Sequence, residues 1–196
     1  MKKLNILGLL ILVVALIIGN TTNGNAQVLP KFGLKGGLNY AAFNNVDDVE
    51  YRPGILIGAF AEINIPASPM SVQPEVLYAQ YGSDIEGSDA SFKLNYIQVP
   101  VLLKFNFQSL AATPNVYFGP YTNFLINSEI ANDAGSIDLE ENTKNSTFGV
   151  IIGAGIDLSK FQFGVRYTAG LTNAFDDSFN DEAKNGAFAL TVGVSL

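Results

Sequence analysis

The strongest constraint on this chain is an alternation of apolar and polar residues that recurs along most of its length. In the last segment, residues 188–196, every second residue is a large apolar one. A two-residue period is typical of β-strands, because successive side chains point to opposite faces. The pattern predicts eight strands of about ten residues, as in small transmembrane β-barrels. The predicted strands are 32–41, 54–65, 70–81, 92–107, 116–126, 148–158, 161–171 and 188–196.

The connections between these strands alternate in length. Three are short or uncharged, at 66–69, 108–115 and 159–160. Four are polar and mostly long, at 43–53, 82–91, 127–146 and 172–186. Outer-membrane barrels have short turns at the periplasmic end and longer loops outside the cell. We therefore predict an all-β fold, an eight-stranded antiparallel up-and-down transmembrane β-barrel with its long loops outside the cell.

Charge separates the loops from the strands. The four long loops contain all but three of the 18 acidic residues. The polar strand positions are mostly Gly, Asn, Gln, Thr and Ser, whereas the outer face of a soluble barrel needs many charged residues. Small polar residues suit a crowded barrel interior, and the apolar positions suit lipid. A soluble secreted ligand-binding barrel is the alternative, and it would be found in the aqueous periplasm without detergent.

The N-terminal segment has the pattern of a cleaved signal peptide. Lys2 and Lys3 precede an apolar run at 4–19, and Gly24 and Ala26 are small residues suited to cleavage before Gln27. An uncleaved anchor helix is the alternative, but the run is shorter than the ~20 residues of a spanning helix. We predict a signal peptide at 1–26, a single barrel domain at 27–196, and a location in the outer membrane.

Six charged residues occupy polar positions within the predicted strands. With the N-terminus in the periplasm, we expect Lys35, Glu62, Glu75 and Lys104 to form an inward ladder near the periplasmic end. Asp157 and Arg166 could form a second pair. The lumen of an eight-stranded barrel is filled by side chains, and buried charges must be paired. We therefore favour a structural salt-bridge plug, with a polar pathway or proton-linked gate as the alternative.

Composition excludes several functions. The sequence contains no His and no Cys, which removes His-dependent catalytic triads, thiol nucleophiles, His- or Cys-ligated metals and disulfides. Its formal net charge of −7 argues against a nucleic-acid partner. The acidic segment at 176–182 has enough carboxylates for Ca²⁺, but it lacks the spacing and the turn glycine of an EF-hand loop. We therefore predict no enzyme, no cofactor and no metal site.

Several segments together resemble a known family. The segment Asn-Tyr-Ile-Gln-Val-Pro-Val-Leu-Leu-Lys at 95–104 resembles the fourth-strand motif of the PorT-like outer-membrane β-barrel family. Segments 33–39, 73–82, 119–121 and 166–173 resemble its first, third, fifth and seventh strands. The resemblance implies a single-chain barrel in the outer membrane of a Gram-negative cell. The namesake member is linked to protein export, but most members have no assigned activity.

The function predicted from these features is a structural or interaction scaffold that displays acidic loops. A narrow pore, or an accessory component of protein export with secretion components as partners, is the alternative. The partners expected are outer-membrane lipid and lipopolysaccharide, with which the loops could share divalent cations, and the barrel-assembly machinery during insertion. The chain ends in Leu196, where many such barrels end in an aromatic residue read by that machinery.

Two prolines depart from the strand pattern. Pro74 and Pro100 each remove a backbone donor from a predicted strand. We expect both to mark bulges or strand-edge irregularities.

Overall fold

The computed structural model describes residues 29–44, 49–85, 91–107, 112–132, 135–138, 146–173 and 184–196. The predicted signal peptide lies outside these residues. In the described ranges no helix is long and apolar enough to cross a membrane. The strands are β1 (Lys31–Asn44), β2 (Val49–Asn64), β3 (Met70–Ile85), β4 (Ser91–Asn106), β5 (Thr113–Asn132), β6 (Gly135–Asp138), β7 (Ser146–Leu158), β8 (Phe161–Asn173) and β9 (Lys184–Ser195).

Antiparallel pairing closes the sheet into a barrel. Each barrel strand pairs with its neighbours along the chain, and β1 pairs with β9. The short strand β6 pairs with the long-loop end of β5, at residues Glu129–Asn132, past the last β5–β7 pair of Phe124 with Ser146. The ring therefore has the order β1, β2, β3, β4, β5, β7, β8, β9, and the predicted eight-stranded antiparallel barrel is confirmed.

Most strands are longer than the sequence pattern predicted. Strand β5 has 20 residues and β2 and β3 have 16 residues each, whereas β4, also with 16 residues, has its predicted length. Much of the predicted loop 43–53 is strand, because β1 continues to Asn44 and β2 begins at Val49. Backbone pairing needs no apolar side chain, so the ladders run on after the alternation has ended. The alternation marks the apolar band of the barrel and not the ends of its strands.

Burial alternates along the strands, which defines an inner and an outer face. In β7, Ile151 is 1% exposed and its neighbour Ile152 is 63% exposed. The outer face of the barrel strands carries large apolar side chains. Toward the long-loop end Tyr40, Phe188 and Tyr167 lie on one level across three adjacent strands. Such a belt of aromatic residues is typical of the border of a transmembrane barrel.

The two strand prolines interrupt the ladders without shifting them. The β3–β4 pairing stops after Pro74 and resumes at Leu77 in the same register, and the β4–β5 pairing skips two residues beside Pro100. Of the two predicted forms, the bulge is therefore wrong, and each proline instead marks a local interruption of the ladder. A missing amide donor removes a hydrogen bond, but it adds no residue to either strand. Register shifts occur elsewhere, between Tyr51 and Leu56, Asn95 and Tyr96, and Ala169 and Asn173.

Candidate functional site

The six charged residues singled out from the sequence all lie on the inner face of the barrel. Five are buried, with exposures from 1% for Glu75 to 8% for Lys35. The side chain of Asp157 is 20% exposed. They form two groups, which we name the central bar (Lys35, Glu75, Arg166) and the mouth bar (Glu62, Lys104, Asp157).

The central bar crosses the bore of the barrel. Arg166 Nη1 donates to Glu75 Oε2 at 3.0 Å, and Lys35 Nζ donates to the other oxygen, Glu75 Oε1. Strands β3 and β8, which carry Glu75 and Arg166, are diametrically opposite in the ring. Lys35 Nζ also lies 5.2 Å from the centroid of the Phe60 ring. One carboxylate therefore holds two cations in the middle of the lumen.

The mouth bar lies nearer the end with short turns. Lys104 Nζ donates to Glu62 Oε2 at 2.9 Å and to Asp157 Oδ2 at 3.0 Å. Gln162 Nε2 donates to Glu62 Oε2 at 2.8 Å, and Asn115 Nδ2 donates to Asp157 Oδ1 at 3.1 Å. These contacts tie together β2, β4, β5, β7 and β8.

The pairing within these groups differs from the predicted ladder. Arg166 contacts Glu75 and not Asp157, and Asp157 contacts Lys104. The predicted ladder contains only pairs between adjacent strands. In a narrow closed barrel a long side chain also reaches strands across the lumen, and these pairings depend on strand tilt and stagger.

Amide side chains missed by the sequence argument complete the network. Gln98 accepts from Arg166 Nη2 at 3.1 Å and donates to the Tyr81 hydroxyl at 2.5 Å and to Asn123 Oδ1 at 3.2 Å. Gln73 Nε2 donates to Glu75 Oε1 at 2.6 Å. Both glutamines lie on the inward parity of their strands, the same parity as Glu75 and Lys104. That shared parity was the sequence signal that could have found them.

Glycines on the inner face make room for aromatic rings. A Cβ atom added to Gly153 would lie 2.5 Å from the Tyr117 ring, and one added to Gly149 would lie 2.7 Å from the Tyr121 ring. Real Cβ atoms do not approach so closely, so any other residue would displace the ring. The Tyr117 hydroxyl then reaches the backbone oxygen of Val165, to which it donates at 3.2 Å. The space beside the glycines of β7 is thus filled by rings from the neighbouring strand β5.

An apolar layer lies beyond the central bar, toward the long loops. Its members are inward side chains that are at most 4% exposed. Rings of Tyr81 and Tyr96 meet edge to face, with centroids 5.8 Å apart. The layer consists of Leu56, Leu77, Ala79, Tyr81, Leu94, Tyr96 and Ala187.

A cavity of about 920 Å³ opens at the end with short turns. Its lining includes Glu62, Asp157 and Gln162, so the mouth bar forms its inner end, and Lys31 and Lys160 lie at its rim. Among the described residues no group of three or more His, Cys, Asp or Glu could hold a metal ion. The acidic segment 176–182 lies outside the described residues.

Comparisons with known proteins agree with this architecture. A family model described as "Outer membrane protein beta-barrel domain" matches residues 25–176. The structure is similar to Neisserial surface protein A, with a TM-score of 0.55 and 12% identity over 85% of this chain and 97% of that chain. At this identity the likeness concerns the fold alone.

Two further solved structures have lower scores. Ail, the attachment invasion locus protein of Yersinia pestis, gives a TM-score of 0.46 at 14% identity, over 85% of this chain and 99% of that one. The N-terminal barrel of OprF from Pseudomonas aeruginosa gives 0.42 at 12% identity, over 86% of this chain and 100% of that one. A search of curated proteins gives no match.

Proposed function

This chain belongs to the outer membrane protein beta-barrel domain family, and from that premise we propose that it is a closed scaffold and not a pore or an enzyme. In this proposal the barrel spans the outer membrane, its filled lumen keeps it rigid, and its loops make the functional contacts. The observation that carries the proposal is the central bar, in which Arg166 and Glu75 join opposite walls of the lumen.

Two barriers in series oppose the passage of ions. Separating Arg166 or Lys35 from Glu75 would leave a buried charge without its partner, which costs several kcal/mol. The apolar layer follows within a few residues, with Leu77 two positions from Glu75 along β3 and 0% exposed. A hydrated ion entering at the short-turn end would first meet fixed ion pairs and then a dry packed layer.

The orientation belongs to the same proposal. We infer that residues 1–26 are removed on export, that the short turns face the periplasm and that the long loops face the outside. The aromatic belt formed by Tyr40, Phe188 and Tyr167 would then lie at the outer border of the apolar band. The acidic loops would meet lipopolysaccharide, whose phosphates they can approach by sharing divalent cations.

Conductance of the purified protein in planar lipid bilayers tests the closed lumen. We expect the purified protein to give no stable current steps. Its folded state is verified beforehand by a gel band that shifts on boiling. A porin inserted in the same bilayers shows that the assay detects channels. Stable steps from the wild type that disappear in Glu75→Gln would overturn the scaffold and support a pore.

Cell fractionation tests the location separately. We expect the protein in the outer-membrane fraction, soluble only with detergent, with an N-terminus at Gln27 and a gel band that shifts on boiling. A soluble periplasmic protein with an unshifted band would contradict the membrane barrel and support the ligand-binding alternative.

A PorT-like role in export is a second, finer proposal. It is supported by the match at 95–104 and by the ordered set of similar segments. Crosslinking in intact cells followed by purification of the barrel tests it. Enrichment of secretion components over an unrelated barrel of the same membrane would support it, and equal recovery with both barrels would exclude it.

A further inference from the structure

The seam between β2 and β3 is interrupted in its long-loop half. The two strands pair at Tyr51 with Ser83 and again at Leu56 with Ala79, and the register shifts by one residue between these pairs. Within the described strands, residues 52–55 of β2 have no partner on β3. Pro53 lies in this gap and has no amide proton to donate.

Both flanking seams are intact at the same level. On one side, β1 pairs continuously with β2 from the Leu38–Ile55 pair to the Ala41–Arg52 pair. On the other side, β3 pairs with β4 from the Gln80–Asn95 pair to the Gly82–Lys93 pair. The interruption is therefore a slit between two well-formed hairpins, β1–β2 and β3–β4.

Two amide side chains bridge the slit in place of the ladder. The backbone amide of Ile55 donates to Gln80 Oε1 at 3.2 Å. Asn39 Nδ2, from β1, donates to the backbone oxygen of Gln80 at 2.7 Å and so reaches past β2. Gly54 permits this reach, because a Cβ atom there would lie 2.6 Å from the same Gln80 oxygen.

The β2–β3 seam has a second interruption, at Pro74, which differs from the slit. There the β2–β3 pairing is also interrupted, between the Phe60–Glu75 pair and the Ile63–Val72 pair, but the register is unchanged. Glu75 sits beside that gap and is held by the central bar from across the lumen. Among the side chains that the structure describes, no ion pair lies beside the slit, and the apolar layer that lies behind it packs without fixed directions.

We propose that Asn39 and Gln80 form a latch over a lateral slit, and that its release, together with loss of the three β2–β3 pairs from Val49 with Ile85 to Tyr51 with Ser83, lets the two hairpins separate at their loop-bearing ends. The ladders inside each hairpin and the two charged bars stay intact during this motion. This motion takes place in the barrel wall and is independent of whether the lumen conducts.

Amide exchange followed by NMR on the full chain in lipid nanodiscs tests the slit in the wild type. The amides of Ile55 and Ile57 both face β3, because amides two residues apart point to the same neighbouring strand. Ile57 is paired with Tyr78, whereas Ile55 lies in the slit. We expect Ile55 to exchange at least tenfold faster than Ile57. Equal protection of the two amides would overturn the slit.

A double variant tests the latch. Because the protein has no cysteine, spin labels can be placed at Asn44→Cys on one hairpin and Ser91→Cys on the other. In Asn39→Ala with Gln80→Ala we expect a broader and longer label–label distance distribution, with an unchanged gel shift. Asn123→Ala, which removes a lumen amide away from the slit, is the matched control and should leave the distribution as in the wild type.

The remaining outcomes count against the latch. An unchanged distance distribution in the double variant would mean that the two bonds only repair the ladder locally. Broadening that also occurs in Asn123→Ala, or loss of the gel shift, would mean general loosening of the barrel. Either result overturns the proposed latch, and neither bears on the conductance test of the scaffold.

Discussion

The two halves of this barrel are held together in different ways. The short-turn half contains both charged bars, and its strands keep one register even beside Pro74 and Pro100. The long-loop half contains the apolar layer and all three register shifts. All three register shifts therefore lie in the half of the barrel that contains no charged bar.

The difference follows from the directionality of the interactions. A buried ion pair needs its partners within about 3 Å in a defined geometry, so a one-residue slip would leave a charge unpaired. A slip by one residue also moves every side chain of that strand to the opposite face. Apolar contacts are non-directional, so the layer around Leu77 can repack around a bulge at much lower cost.

Removing the shared carboxylate of the central bar should have the largest effect on stability. In Glu75→Gln, Lys35 and Arg166 stay buried without a counter-charge, and we expect the free energy of unfolding to fall by about 3–5 kcal/mol. Urea titration followed by the gel shift and by circular dichroism measures it. A triple variant that combines Lys35→Met, Glu75→Leu and Arg166→Met sharpens the comparison. Its free energy of unfolding should fall less than that of Glu75→Gln, because no charge is left unpaired.

A cavity in the apolar layer should cost somewhat less. Leu77 is fully buried, so Leu77→Ala removes its contacts and leaves a void, and we expect a loss of about 3 kcal/mol in the same titration. Val76→Ala, on the outer face of the same strand, is the matched control and should lose clearly less, because Val76 is 55% exposed at the outer surface. Equal losses would contradict the assignment of the two faces.

Breaking the mouth bar should have the smallest effect of the three. Lys104→Met leaves Glu62 and Asp157 without their cation, but the 20% exposure of the Asp157 side chain lets water reach it. We expect a loss of about 1–3 kcal/mol, within the range for groups that lose a hydrogen-bond partner. Raising the salt concentration should recover part of it, because screening reduces the repulsion between the two carboxylates. A loss as large as that in Glu75→Gln would remove the distinction between the bars.

How much of the site was predictable differs from residue to residue. Lys35, Glu75 and Arg166 could be identified as inward residues because each lies on the polar parity of a strand. Arg166 could not be assigned to Glu75, because that contact depends on which strands face each other across the lumen. The inward residues Leu56, Leu77 and Leu94 were not recognised, because an apolar residue on β2–β4 fits both the lipid and a packed lumen.

The sequence by itself determined the class of this protein: strand number, closure with short turns at one end, and a lipid-compatible outer face. The physical reason is that side chains alternate along every strand and that lipid accepts only one kind of side chain. Tertiary structure alone decided the ion-pair partners, the packed layer and the slit at Gln80. These depend on strand tilt and register, through which residues far apart in the chain share one narrow lumen.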